Sequence, residues 1–254
     1  VKGLPALGFA ENEARAWGEL IKRPHGIILV TGPTGSGKTT TLYSTLRRLA
    51  TEEVNVCTIE DPIEMVEPAF NQTQVQPALD LGFAEGLRAL MRQDPDIIMV
   101  GEVRDLETAE MAVQAALTGH LVFSTLHTND TASAITRLVD LGVPPYLINA
   151  TVIGVLAQRL VRTLCPACKV PDPGLPLERV QEVLSPWRLT GGFSPYKAVG
   201  CEACRHTGFK GRVGLYELLT LHEGLHDTIS PQPDALALRR RAVHDGLLPL
   251  RVAG

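Results

Sequence analysis

No run of apolar residues in this chain approaches the roughly 20 needed to cross a bilayer as a helix. Runs such as Gly26–Val30, or the four apolar residues within Asp96–Gly101, are far shorter, so no direct membrane span is expected. Positive charge is not in excess either. Lys plus Arg total 24 against 28 Asp plus Glu, a formal net charge of -4, which leaves no global basic field to hold nucleic acid by counterion release. Aromatic residues are scarce at 5%, and no aromatic and basic stripe offers a stacking platform for a single strand. Nucleic acid is therefore not expected as a partner. Five cysteines are too few for a secreted disulfide scaffold, and their spacing points instead to metal in a reducing compartment. No basic segment followed by an apolar one opens the chain, and its first residue is Val1 rather than Met, which leads us to expect a piece of a longer protein. What is present is a globular composition, 44% hydrophobic and 20% charged over 254 residues, enough for one large domain or one domain with appendages.

The text changes along the chain. Residues 1–24 read as a leading helix, with Ala14, Trp17, Leu20 and Ile21 at three- and four-residue steps. Residues 25–160 alternate short β-branched runs (27–30, 54–59, 96–100, 121–124) with helical stretches (42–50, 83–92, 106–117). Buried parallel strands with crossover helices are predicted, an α/β fold. Residues 161–215 are rich in Pro, Gly and Cys and poor in periodicity, so this stretch needs a staple other than a core. Its Pro171–Pro195 run is expected to loop out. Residues 216–254 read as a small C-terminal helical segment.

The most specific local signal is Gly32-Pro33-Thr34-Gly35-Ser36-Gly37-Lys38-Thr39, followed by Thr40. It fits G-x-x-x-x-G-K-[ST] and stands between an apolar strand and a helical stretch, the context a phosphate-binding loop requires. Glycines let backbone amides converge on phosphate oxygens, and the next helix adds its positive dipole end. Lys38 is expected to reach the β- and γ-phosphates of a bound nucleotide and Thr39 to ligate Mg²⁺. The loop alone says nucleotide, not which one.

Two strands run into acids: 54–59 into Glu60-Asp61-Pro62-Ile63-Glu64, and 96–100 into Gly101-Glu102. Ligands of doubly wound sheets sit at the carboxyl ends of strands, so these acids are placed to orient water or complete a metal's outer shell. Glu102 is the first candidate for this role and Glu64 the second, against the bland alternative of solvated turn residues. The place where an Asp would end such a strand holds Gly101, which argues against direct metal ligation there. His127, after strand 121–124, can donate to a γ-phosphate and report its presence.

Together these segments resemble the ATPase domain of the type II secretion and type IV pilus assembly family. His25–Gly32 running into the P-loop resembles its Walker A motif, and Thr58–Glu64 its Asp box. Leu90–Asp96 through Glu102–Asp105 resembles its atypical Walker B, where glycine at position 101 is normal, and Gly119–Asp130 its His box. The resemblance covers residues 25–220 and implies a RecA-like P-loop NTPase core. It also implies ATP as the nucleotide, Glu102 as catalytic carboxylate, Glu64 as its partner, His127 near the γ-phosphate, and a homohexamer. Inner-membrane platform proteins would be its partners, mainly through N-terminal domains, in a cytoplasmic protein peripheral to the inner membrane. Arg88, Arg92 and Arg104 are candidates for cations that complete the site, some of them across a protomer boundary.

Cys165-Pro166-Ala167-Cys168 and Cys201-Glu202-Ala203-Cys204 are paired C-x-x-C turns, which predict one closed, structural Zn²⁺ site. A similar tetracysteine insertion marks secretion and pilus-extension ATPases, whereas retraction ATPases generally lack it. Cys57, alone on an apolar strand, reads as packing. Two other functions share parts of this pattern: a nucleoside monophosphate kinase with a zinc lid, and a DNA-dependent motor ATPase. The preferred reading is ATP hydrolysis powering pseudopilus assembly in type II secretion, with pilus extension as the alternative.

Overall fold

β-branched runs buried on both sides need helices above and below them, and the computed structural model, which describes residues 3–185 and 194–253, supplies both layers. A 3-10 turn at Leu4–Leu7 leads into α1 (Glu11–Leu20), β1 (Gly26–Thr31), α2 (Lys38–Leu49), β2 (Val56–Glu60), β3 (Asn71–Gln74), α3 (Phe83–Leu90), β4 (Ile97–Val100), α4 (Leu106–Leu117) and β5 (Leu121–Leu126). There follow α5 (Thr131–Leu141), α6 (Pro145–Thr151), β6 (Val152–Leu164), β7 (Val170–Pro171), α7 (Leu177–Leu184), β8 (Tyr196–Lys197), β9 (Phe209–Thr220), α8 (Glu223–His226), α9 (Ala235–His244) and α10 (Leu250–Ala253). The main sheet has seven strands in the order β3-β2-β4-β5-β1-β6-β9. All neighbours are parallel except β6 and β9.

Successive residues of β1 feed opposite layers, as a strand's two-residue period requires. Ile27 and Leu29 join a core with Ile98, Val122 and Leu138, while Ile28 and Val30 join one with Trp17, Leu46, Phe123 and Tyr216. The expected helical spacing in α1 buries Trp17, Leu20 and Ile21, and the Trp17 indole donates to Thr45 Oγ1 of α2 at 3.2 Å. The leading helix therefore braces the helix that follows the P-loop. Ala14 is exposed instead.

Two differences from the sequence reading bear on the site. β3 is spelled Asn-Gln-Thr-Gln and is half-exposed at the sheet edge, so it carries no apolar signal. Strand structure also reaches into both ends of the stretch read as loop-rich, since β6 and β9 pair from Gly154↔Thr220 through Arg162↔Arg212 to Leu164↔Phe209. Beyond that hairpin stem sit the small β7–β8 ribbon and α7, which lies inside the Pro171–Pro195 run. Residues 186–193 of that run, which was expected to loop out, lie outside the described residues. No helix among the described residues is long and apolar enough to cross a membrane.

Candidate functional site

The ends of β1, β2, β4 and β5 and the stem of the β6–β9 hairpin border one cleft of about 410 Å³. Thr34, Gly35, Gly37, Lys38, Thr39 and Thr40 form its floor. Gly37 has φ +90°, and a Cβ there would lie 2.7 Å from Gln158 Nε2, so both the left-handed turn and the close approach of β6 demand glycine. Lys38 begins α2 and is buried, with Nζ donating to the carbonyls of Gly32 and Pro33 at 2.8 and 3.1 Å. Burial lowers its pKa; the carboxylates of Glu102 and Glu64 oppose that, and Arg159 adds to it. Ser36 Oγ is buried with no protein partner, the kind of hydroxyl that an anion's oxygen would satisfy.

Glu102 lies across the same cleft. Its Oε2 accepts from Arg104 Nε at 2.7 Å, and its Oε1 lies 3.2 Å from His127 Nε2. The carboxylate is thus gripped from two sides, and the sequence candidates Lys38, Glu64, Glu102 and His127 all line one space. Gly101 has a packing reason. A Cβ there would come within 3.3 Å of Ile59 O and of the Phe83 ring, and 3.4 Å of Glu60 Cα, so a side chain at this position would require those neighbours to give by a few tenths of an ångström.

Glu60 was not singled out in the sequence, and it is the buried acid of the cleft. Tyr43 of α2 donates to its Oε1 at 2.5 Å, and Thr58 and Gln72 donate to its Oε2 at 2.7 and 3.1 Å. Burial first, then this bond, push the Tyr43 hydroxyl well above the usual phenol range, so it remains the donor. Glu60 is therefore spent on tying the P-loop helix to the segment that carries Glu64. Tyr43→Phe would leave a buried carboxylate one donor short and should lower unfolding stability by about 1.5–3 kcal/mol. An unchanged urea midpoint would show that the bond contributes nothing.

The three candidate arginines diverge. Arg104 reaches Glu102, whereas Arg88 turns to Glu107 at 3.6 Å in an exposed pair, and neither Arg88 nor the exposed Arg92 borders the cleft. Leu160 of β6 and Arg212 of β9 do border it. Sequence reasoning missed them because Leu160 ends the stretch read as core with no motif at its position and Arg212 lies where periodicity was weak; the long β6–β9 pairing brings both in.

At the far end of that hairpin, Cys165, Cys168, Cys201 and Cys204 form the one group of metal-ligating side chains found among the described residues. Three sulfur pairs are 3.8–3.9 Å apart. A tetrahedron with arms of about 2.3 Å has edges of about 3.8 Å, the spacing of a four-thiolate zinc site. Burial raises the Cys204 thiol, but backbone N–H donation from Cys201 and Gly208, with the neighbouring thiols, outweighs it and brings the pKa down to about 6. At Cys168 the Gly200 N–H acts downward, yet burial and the neighbouring sulfurs push the thiol up to about 11. Four converging thiols cannot all ionise without a cation among them. Cys57 is fully buried and stands apart.

Fold and cleft together define a P-loop α/β domain of RecA-like type, carrying a tetracysteine insertion and a short helical tail. The chain belongs to the type II/IV secretion system protein family, whose family model matches residues 1–253. It is 58% identical over its full length to a type IV pilus assembly ATPase, TfpB, of Acinetobacter baylyi, covering 43% of that protein. Over 93% of its length it is 52% identical to the type II secretion system ATPase E of Vibrio cholerae, covering 46% of it. The chain spans about half the length of these curated relatives. Among solved structures it is similar to the Legionella pneumophila ATPase DotB, with a TM-score of 0.71 at 28% identity, covering 99% of this chain and 60% of that one. It is also similar to the pilus retraction motor PilT with bound ADP, at 0.63 and 31%, covering 100% of this chain and 66% of that one.

Proposed function

We propose that this chain is the motor part of a homohexameric ATPase that hydrolyses ATP to ADP and phosphate and so drives pseudopilus assembly in type II secretion. The observation that carries the reading is Glu102, gripped by His127 and Arg104 in the cleft that also holds the buried Lys38. In this reading the P-loop amides and Lys38 bind the phosphates, and the orphan Ser36 hydroxyl finds its partner there. Glu102 takes up the proton of the attacking water as it adds to the γ-phosphorus, while Arg104 and His127 keep the carboxylate aimed. Glu64 orients the same water, and His127 also senses the γ-phosphate. Thr39 would hold Mg²⁺, which neutralises phosphate charge. The four cysteines fit Zn²⁺ as a closed set with no open position, a structural role.

An exposed ion pair such as Arg88–Glu107 is worth little, so Arg88, like Arg92, is free to serve a neighbouring protomer's site. Association with inner-membrane platform proteins, which would hold a cytoplasmic protein at that membrane, is proposed to run mainly through regions its longer relatives possess. The 58% sequence identity to the Acinetobacter baylyi pilus assembly ATPase favours a second reading, pilus extension. Deleting the gene in the source bacterium tests the choice: loss of secreted enzymes with pili intact supports the first, and loss of pili alone the second. ATPase activity per protomer is expected to rise with protein concentration as rings form. Fast hydrolysis by a strict monomer would count against the ring.

A further inference from the structure

After His127, the three loop residues Thr128–Asp130 and Thr131, which begins α5, are each held by a different element. Thr128 N–H donates to Thr31 Oγ1 of β1 at 2.9 Å. Asn129 receives Arg159 Nη2 of β6 on its carbonyl at 2.9 Å and on Oδ1 at 3.2 Å. Asp130 meets Arg239 of α9 at 3.3 Å, a partly exposed and weak pair. Thr131 donates its N–H and hydroxyl to Glu217 Oε1 of β9 at 3.0 and 2.7 Å, and the other oxygen, Oε2, takes Leu250 N–H at 3.0 Å. Glu217 is 1% exposed, and its two oxygens accept three donors from two separate segments. Arg159 and Glu217 lie on paired strands, at registers 159↔215 and 157↔217, so they project from one face of the sheet toward the same loop.

We infer that Arg159 and Glu217 are positioning residues that set His127 against Glu102, and that through Glu217 the C-terminal segment is joined to the site. The inference rests on the ATPase reading above. A loop anchored at every residue after His127 gives that imidazole little freedom, and a shift of about 1 Å in a catalytic geometry can cost as much as 10²-fold in rate.

The test uses the full-length protein in its ring form. Arg159→Gln, and Glu217→Gln where it folds, should lower kcat about tenfold or more while KM for ATP stays within about threefold. In a His127→Ala background, Arg159→Gln should add less than about a twofold further loss, because it acts through that side chain. Without nucleotide, amide hydrogen exchange at residues 128–131 should speed up in Arg159→Gln while β1 and β5 keep their protection. Losses that multiply in the double variant, or an unchanged kcat, would overturn the inference. A wild-type protein without ATPase activity would sink the functional reading instead, and the exchange measurement would still decide this one, since unchanged exchange at 128–131 refutes it.

Discussion

Glu102→Gln is expected to bind ATP within a few-fold of the parent affinity and to hydrolyse it about 10²–10⁴ times more slowly. The amide preserves the side chain's shape and can still accept from Arg104, but it cannot take a proton from water. Lys38→Ala should lose both binding and turnover, because the floor of the cleft then has no buried cation to meet the phosphates. The contrast is what matters. If Glu102→Gln lost binding and hydrolysis together, Glu102 would belong to the binding of metal or phosphate rather than to the chemical step. If Lys38→Ala kept normal turnover, the P-loop assignment itself would fall. Phosphate release and binding of a fluorescent ATP analogue, measured on the same preparations, separate these outcomes.

The second large effect is expected at the cysteines. Structural zinc held by thiolates contributes on the order of 10 kcal/mol to folding, and the segment between Cys165 and Cys204 has little apolar core of its own. Cys201→Ser or strong chelation should therefore unfold roughly the part between the strands of the hairpin. The damage should stop at its stem, because β6 through Leu164 and β9 from Phe209 remain paired within the main sheet. Limited proteolysis should cut between 165 and 208 and leave a P-loop fragment that still binds nucleotide. Metal analysis showing well under one zinc per chain in freshly purified, unstripped protein would contradict the assignment, as would a proteolysis pattern indifferent to chelator.

The P-loop, both acidic strand ends and the cysteine turns were legible because each is a short sequence pattern whose chemistry sits within a few residues. β1, β4 and β5 were legible for a related reason, since strands buried on both faces are apolar over most of their length. β3 was not, because an edge strand of Asn, Gln and Thr is stabilised by its ladder and not by burial. Glu60 escaped notice because its importance lies in partners 17 and 12 residues away, Tyr43 and Gln72, on other elements. Arg159, Leu160, Arg212 and Glu217 were hidden for the same reason at longer range. Their roles come from a strand pairing that no local spacing announces, and Thr131 and Glu217 meet across 86 positions of sequence.

That strand pairing also works as a ruler. β6 rises about 3.3 Å per residue, so Gln158, beside the P-loop helix and bonded to Thr41 at 2.7 Å, stands roughly 23 Å along the chain from Cys165. Between them Leu160 faces the cleft and Arg159 faces away, toward the His127 loop. Lengthening both strands by two residues would carry the cysteine knot about 7 Å farther out and leave every facing unchanged, whereas a single added residue would reverse all of them beyond it. Even steps thus change the distance from cleft to cysteines without disturbing the facings, whereas an odd step needs an irregularity to absorb it, such as the register shift already present between Arg162 and Leu164.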